Sequence, residues 1–285
     1  MLTLAEASKL IQNPLQRGVV ETFARTSAVL ERLPFMDVAG NAYSYNVEQT
    51  LPGIAFRDYN QSYTESTGVV NPVTEKLYIM GGISSVDRAF VKTQGNVNNI
   101  RAIHDGMKAK AAALTFTRTF FKGDNTSSPL EFDGLEKRLT GAQALTYTTT
   151  SFTLSDVDKL IDAVVGSPDV LFMSKAARRK LNDLMRAANQ ATEQVNDAFG
   201  RMIPAYAGIP IGIIEEDKDG NAILADTEMY ACRFGTQQYL SGLQAGGMEV
   251  VDLGLNKTQF ETLIEWICGI AVFHPKAAAR LSASE

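Results

Sequence analysis

Residues 96–123, NVNNIRAIHDGMKAKAAALTFTRTFFKG, place the firmest constraint on how this chain folds. Ile100, Ile103, Met107, Ala111, Leu114 and Phe121 recur at helical spacing, with Arg101, Asp105, Lys108 and Arg118 mostly on the opposite face. From Val97 to Lys122 such a helix runs roughly 39 Å at 1.5 Å per residue. That is long for a globular protein, and Gly123 stands where a terminating glycine belongs. The helix acts as a spine on which the rest must be hung.

The next stretch, FFKGDNTSSPLEFDGLEKRL, packs Gly123, Asp124, Asn125, Pro129 and an Asp133-Gly134 pair into a short acidic loop. A metal site, a catalytic loop and a shaped turn are all open readings. Asp124-Asn125 is followed by TSSP, with no spaced acidic ligands, which disfavours calcium. DKDGNAILADTE, from Asp217, begins like a calcium loop with Asp217, Asp219, Asn221 and Glu228. It has Ala222 where the obligatory glycine belongs, and Asp219-Gly220 between β-like flanks reads as a hairpin turn.

Before the spine, residues 3–33 read as helix interrupted at Pro14, ending at Pro34. NAYSYNVEQ alternates as a strand does, and KLYIMGGISSVDRAFVKT is its expected partner, with a bulge at Gly81-Gly82. Between them Thr50–Glu75 is polar and too long for an ordinary loop. A β-ribbon arm lying on another subunit explains it better than a floppy linker, because Arg57, Asp58, Tyr59, Tyr63 and Glu65 suit a contact surface. After the acidic loop come a helix from about Ser155, capped by Ser155 and Asp158, a strand at Asp169–Met173 and a helix capped by Ser174. Four further strands follow: IPIGIIEE, MYACRFG, MEVVDLG and QFETLIEWICGIAVF. Helices and strands are segregated along the chain, so the fold class is α+β.

The chain has 285 residues, 45% hydrophobic and 21% charged, with a net charge of −5. That balance disfavours a protein devoted to gripping nucleic acid. Cys232 and Cys268 are too few for a disulfide framework, so a reducing compartment is expected. The N-terminus lacks the pattern of a signal peptide, and LIEWICGIAVF is too short to span a bilayer and contains Glu265. Glu265 fits a subunit seam as well as it fits catalysis. His104 and His274 have no local signature pairing them with a cysteine, and no phosphate, metal or hydrolase motif is present. Lys175, in KAARRK, starts its helix at the end disfavoured for a cation, which hints at an acidic partner or a phosphate, although a solvated helix face is the preferred reading of such a charge run. No catalytic, metal or cofactor residue is therefore assigned. An enzyme with an unrecognised site is the weaker alternative to an assembly subunit.

The run ALTFTRTFFKGDNTSSPLEFDGLEKRL resembles the major capsid proteins of tailed bacteriophages with the HK97 fold. TLSDVDKLIDAV…PDVLFMSKAARRKL and WICGIAVFHPKAAARL extend the likeness in order along nearly the whole chain. The resemblance implies an N-terminal arm at 1–45 and an extended E-loop with its strands at 46–80. It implies a peripheral domain, with the spine helix, at 81–150 and 263–285, and an axial domain at 151–262. It implies hexamers and pentamers of an icosahedral shell, in the virion, around weakly contacted double-stranded DNA. Portal and decoration proteins would be partners, and a separate scaffolding protein, or none, is implied because residue 1 already begins the arm. Assembly would take place in the host bacterial cytoplasm, with no membrane and no cofactor. An encapsulin-like nanocompartment is the alternative. On this view Gly123, Asp124, Pro129, Asp133 and Gly134 are structural turn chemistry.

Overall fold

The computed structural model describes residues 23, 26–93, 97–148, 151–189, 193–196 and 202–284. The expected helix before residue 23 lies outside them, as do the side chains of 97–100, Ile100 included. In chain order the elements that matter here are α1 (Ala28–Arg32), β1 (Phe35–Asp37), β2 (Ala42–Thr50), β3 (Val69–Lys76), β4 (Tyr78–Asp87) and α2 (Arg88–Thr93). They continue with the spine α3 (Val97–Lys122), α4 (Leu135–Arg138), β5 (Ala144–Tyr147), α5 (Leu154–Asp162), β6 (Val170–Ser174) and α6 (Lys175–Ala187). The remaining strands are β7 (Glu193–Asn196), β8 (Met202–Tyr206), β9 (Ile209–Ile214), β10 (Met229–Cys232), β11 (Leu240–Asn256), β12 (Gln259–Val272) and β13 (Ala278–Ala283).

Two sheets share the spine helix. A four-stranded sheet runs β1-β11-β12-β4, and a seven-stranded sheet runs β5-β13-β10-β6-β9-β8-β7. Strand alternation splits the second sheet cleanly. Leu171, Met173, Met229, Ala231, Ala279 and Leu281 face α5 and α6 and pack on Val157, Leu160, Leu181 and Met185. Val170, Phe172, Tyr230 and Cys232 face the other way, into the core that holds Phe120 and Phe121 of the spine. The four-stranded sheet meets the same helix through Met248, Ile264 and Trp266. The Trp266 ring lies 5.1 Å from those of Phe23, Phe35 and Phe116, and its Nε1 donates to Gln244 Oε1 at 3.3 Å.

The spine occupies the expected span, but the face it buries differs from the sequence reading. Asp105, Ala109, Ala113, Phe116 and Phe120 are buried, while Ile103 and Met107 are exposed. The contact face is chosen by volume rather than by hydropathy. Bulky Met80, Met248 and Ile264 leave room for little beyond alanine in the middle of the helix. Ile103 and Met107, just before it, point outward, and the phenylalanines fill the core only from Phe116 onward.

Strand pairing also departs from expectation. β2 pairs antiparallel with β3, forming a separate ribbon, whereas β4 pairs with β12 in unbroken register through Gly81 and Gly82. No bulge forms there. The cap of α5 is Thr153 with Asp156, a reciprocal capping box two residues before the expected one. Ser174 caps α6 as expected, its Oγ accepting from Ala177 N at 3.1 Å. Lys175 finds Glu215 at 2.7 Å. At Asp217 the carboxylate accepts from the backbone N–H groups of Asp219 and Asn221, and Gly220 takes φ +84°, which is turn geometry.

Trp266→Ala empties the point where α1, β1, the spine and β12 meet. It is expected to lower unfolding free energy by about 3–5 kcal/mol, measured by urea denaturation.

Candidate assembly junction

The acidic loop folds the chain back against the end of the spine. Gly123 N donates to Thr119 O at 2.9 Å, and Gly134 N donates to Gly123 O at 2.8 Å. A Cβ on Gly123 would lie 2.2 Å from Phe132 O, and one on Gly134 would lie 2.6 Å from both Gly123 N and Thr119 O. Neither glycine has a left-handed φ. Space, not handedness, requires glycine at both, which differs from the helix-cap role the sequence suggests for Gly123.

The polar residues of the loop close on one another. Asp124 accepts from Thr126 N at 2.9 Å and Ser127 Oγ at 2.6 Å, and Lys137 Nζ reaches Asp124 at 2.5 Å and Asp133 at 2.9 Å. Hydrogen bonding from Lys137, then from Ser127 and Thr126, holds the Asp124 carboxyl far below the usual carboxylate range. Partial burial would raise Asp133, but bonds from Lys137 and Asn125 N outweigh it and leave that group lowered. Pro129 sits in the exposed outer turn. Asn125, which the sequence reading assigns no role, is a hub. Its Nδ2 donates to Tyr78 Oη at 2.8 Å and Glu131 O at 3.0 Å. A lone asparagine in a turn-rich loop gives no sequence signal of such a role.

Two ion-pair groups tie this loop to its surroundings. Arg138 donates to Asp133 O through Nε at 2.7 Å and grips Glu75, near the foot of the ribbon, with both terminal nitrogens, Nη2 to Oε2 at 2.7 Å. Tyr45 Oη, across the ribbon, donates to Val272 O at 3.0 Å and lies 3.5 Å from Glu75. Burial, aided by the Glu75 charge, pushes the Tyr45 hydroxyl up to about 12. On the other side Lys122 contacts Glu228 at 2.7 Å and Glu136 at 3.0 Å, and Arg280 contacts the same two carboxylates at 2.9 Å each. The spine end, α4, β13 and the lead into β10 are thereby joined.

The ribbon rises from this junction into the loop 51–68. Arg57, Asp58, Tyr59, Tyr63 and Glu65 are all exposed there. Arg57 lies 5.4 Å over the Tyr63 ring and donates to Gln61 O at 3.1 Å, while Asp58 accepts from Tyr59 N at 2.7 Å. The sequence reading passes over Ile54 and Phe56, yet they are 98% and 106% exposed. Large apolar residues inside a polar excursion are the signal that finds them.

The remaining candidates stand apart from one another. His104 is exposed, and His274 Nδ1 accepts from Lys276 N at 3.0 Å. Cys232 and Cys268 are fully buried, and burial pushes both thiols well above their ordinary value, so neither offers a thiolate. Among the described residues no group of three metal-ligating side chains converges, and no helix is long and apolar enough to cross a membrane.

Arg138→Ala leaves Glu75 largely buried without its cation. It is expected to cost about 3 kcal/mol in urea unfolding and to speed proteolysis within 51–68. Glu75→Leu combined with Arg138→Met recovers most of that loss. The stability linked to Tyr45 is complete below its ordinary value of 10.0 and is lost as pH rises through about 12. Tyr45→Phe is expected to flatten that part of the alkaline unfolding curve.

Comparison with known proteins agrees with this architecture. A search of curated sequences finds no match. The chain superposes on the encapsulin of the SrpI complex from Synechococcus elongatus with a TM-score of 0.67 at 15% identity, covering 99% of this chain and 95% of that one. The capsid of a native GTA particle gives 0.65 at 14% identity, over 91% of each chain. A structure from Mycobacterium phage Bobi gives 0.64 at 13% identity, over 100% and 99%. The sequence model of the major capsid protein GP7 matches residues 12–156, which contain the ribbon, the spine and the acidic loop. The chain belongs to the GP7 family of major capsid proteins.

Proposed function

We propose that the chain is the repeating unit of an icosahedral phage head, self-assembling as hexamers and pentamers around double-stranded DNA. The carrying observation is the loop at the end of the ribbon. Ile54 and Phe56 stand fully in water on an arm whose foot is secured by Arg138, Glu75 and Tyr45. Apolar side chains held so far from their own core are costly until a neighbour covers them. Membership of a major capsid family supports the same reading.

In this reading residues 1–45 form the arm and 46–80 the E-loop with its strands. The peripheral domain comprises 81–150 and 263–285, and the axial domain 151–262. Arg57, Asp58, Tyr59, Tyr63 and Glu65 make intersubunit contacts. Gly123, Asp124, Pro129, Asp133 and Gly134 shape the turn that folds the chain back from the spine. The chain performs no catalysis. Its net charge of −5 suits a container that holds DNA without gripping it. Scaffolding, portal and decoration proteins join it, and assembly takes place in the host bacterial cytoplasm.

A second reading, a nanocompartment enclosing protein cargo, draws on the likeness to an encapsulin. The particle contents separate the two: packaged nucleic acid supports the phage head, and co-purifying protein supports the compartment. Negative-stain microscopy and sedimentation of the full chain are expected to show closed shells or rings of one chain. Deleting residues 53–67 is expected to abolish them and leave a folded subunit with unchanged circular dichroism.

A further inference from the structure

Between β9 and β10 the chain leaves its sheet as a hairpin, residues 215–222. Asp217 N donates to Asn221 O at 2.7 Å, Glu216 pairs with Ala222, and the chain returns to the core only at Ile223 and Leu224. Every residue of the hairpin except Asp217 is exposed.

Its course is marked by the cavities it lines. One, of about 540 Å³, has Glu215, Glu216 and Asp217 on one side and Lys110, Leu114 and Thr117 of the spine on the other. A second, of about 690 Å³, separates Asp217, Asp219 and Asn221 from Thr115, Arg118 and Lys122 of the spine. Lys218 also lines a smaller space with Lys108, Met80 and Met248. The hairpin thus starts from the seven-stranded sheet, passes over the spine and ends beside the four-stranded sheet.

The two sides are complementary in charge. Residues 215–221 hold four carboxylates and one lysine, and Lys108, Lys110, Arg118 and Lys122 of the spine line the same cavities. Yet among the described residues no ion pair or hydrogen bond joins hairpin to spine. Glu215 pairs with Lys175, Lys218 with Asp219, and Arg118 reaches Glu131 at 3.8 Å. The attraction is felt without contact: the Asp217 carboxyl is lowered, first by the backbone bond with Asn221, and the charge of Arg118 across the cavity contributes.

In open water such exposed pairs are worth about 0–1 kcal/mol, too little to offset the ordering of a hairpin tip. The same pairs strengthen when neighbouring chains displace the water around them, because attraction rises as the local dielectric falls.

We propose that residues 215–222 form a strap, open in the free subunit and closed on the spine in the assembled particle. In the closed form Asp217 and Asp219 share the Arg118 guanidinium, and the cavities on either side shrink. The strap belongs to one sheet and the spine is packed on both, so closure fixes the angle between the two sheets. This rests on the reading of the chain as a shell subunit and adds a device within that subunit.

Thr115→Cys with Asn221→Cys places thiols on opposite walls of the larger cavity, and the two native cysteines are buried. A disulfide needs Cα atoms within about 7 Å. Under the same oxidant, assembled particles are expected to cross-link within the chain about tenfold faster than free subunits kept below the assembly concentration. Arg118→Glu and Asp219→Lys are each expected to speed particle dissociation in urea about tenfold, and the double variant to return within about threefold of the parent. Equal cross-linking in particles and free subunits, or none in either, overturns the strap, as do charge variants whose effects simply add. If particles form normally while these signatures fail, the shell reading stands and the strap alone is wrong. If no particles form under any assembly condition, both fall.

Discussion

The structure depends on a hydrophobic sandwich in which one helix serves two sheets. Phe116 meets Trp266 on one side, and Phe121 meets Phe172 and Tyr230 on the other. Because the aromatic rings of the spine are shared, the spine-facing side of neither sheet has a core of its own. The tight return after Lys122 follows from that sharing. The chain must leave the helix without pushing the sheets apart, and two glycines allow backbone to lie directly on backbone there.

Charge at the helix end has a related logic. Lys122 and Arg280 each contact both Glu136 and Glu228, and Glu228 is only 5% exposed. A buried carboxylate is tolerated when several donors replace water. Lys122 also lies at the C-terminal end of the spine, where the helix dipole favours a cation. Glu75 and Arg138 repeat the arrangement at the foot of the ribbon, so the projecting arm and the core meet through polar groups of fixed direction.

Much of this was legible in the sequence for physical reasons. The spine was found because its length and terminating glycine are local properties. Its buried face differs because periodicity reports hydropathy, while the contact selects alanine beside Met80, Met248 and Ile264. The ribbon partner was misassigned because β3 contains Pro72, which argues against a strand anywhere except an open edge, and the ribbon is all edge. The glycine pair was visible as a turn, but the role of Asn125 depends on Tyr78 and Glu131, which only the fold brings close. Short strands such as β1 and β5 exist through lateral pairing and leave no pattern of their own.

The ribbon has one further consequence. β2 and β3 pair only with each other, so the arm is a beam clamped at one end. A small rotation allowed by its twist becomes a large displacement at the tip, while the foot, held by Arg138 and Tyr45, stays still. Compliance is thereby confined to the part of the chain that, on the proposed function, meets neighbours at unequal angles. A single sequence can then line a curved surface of more than one local geometry without altering its core.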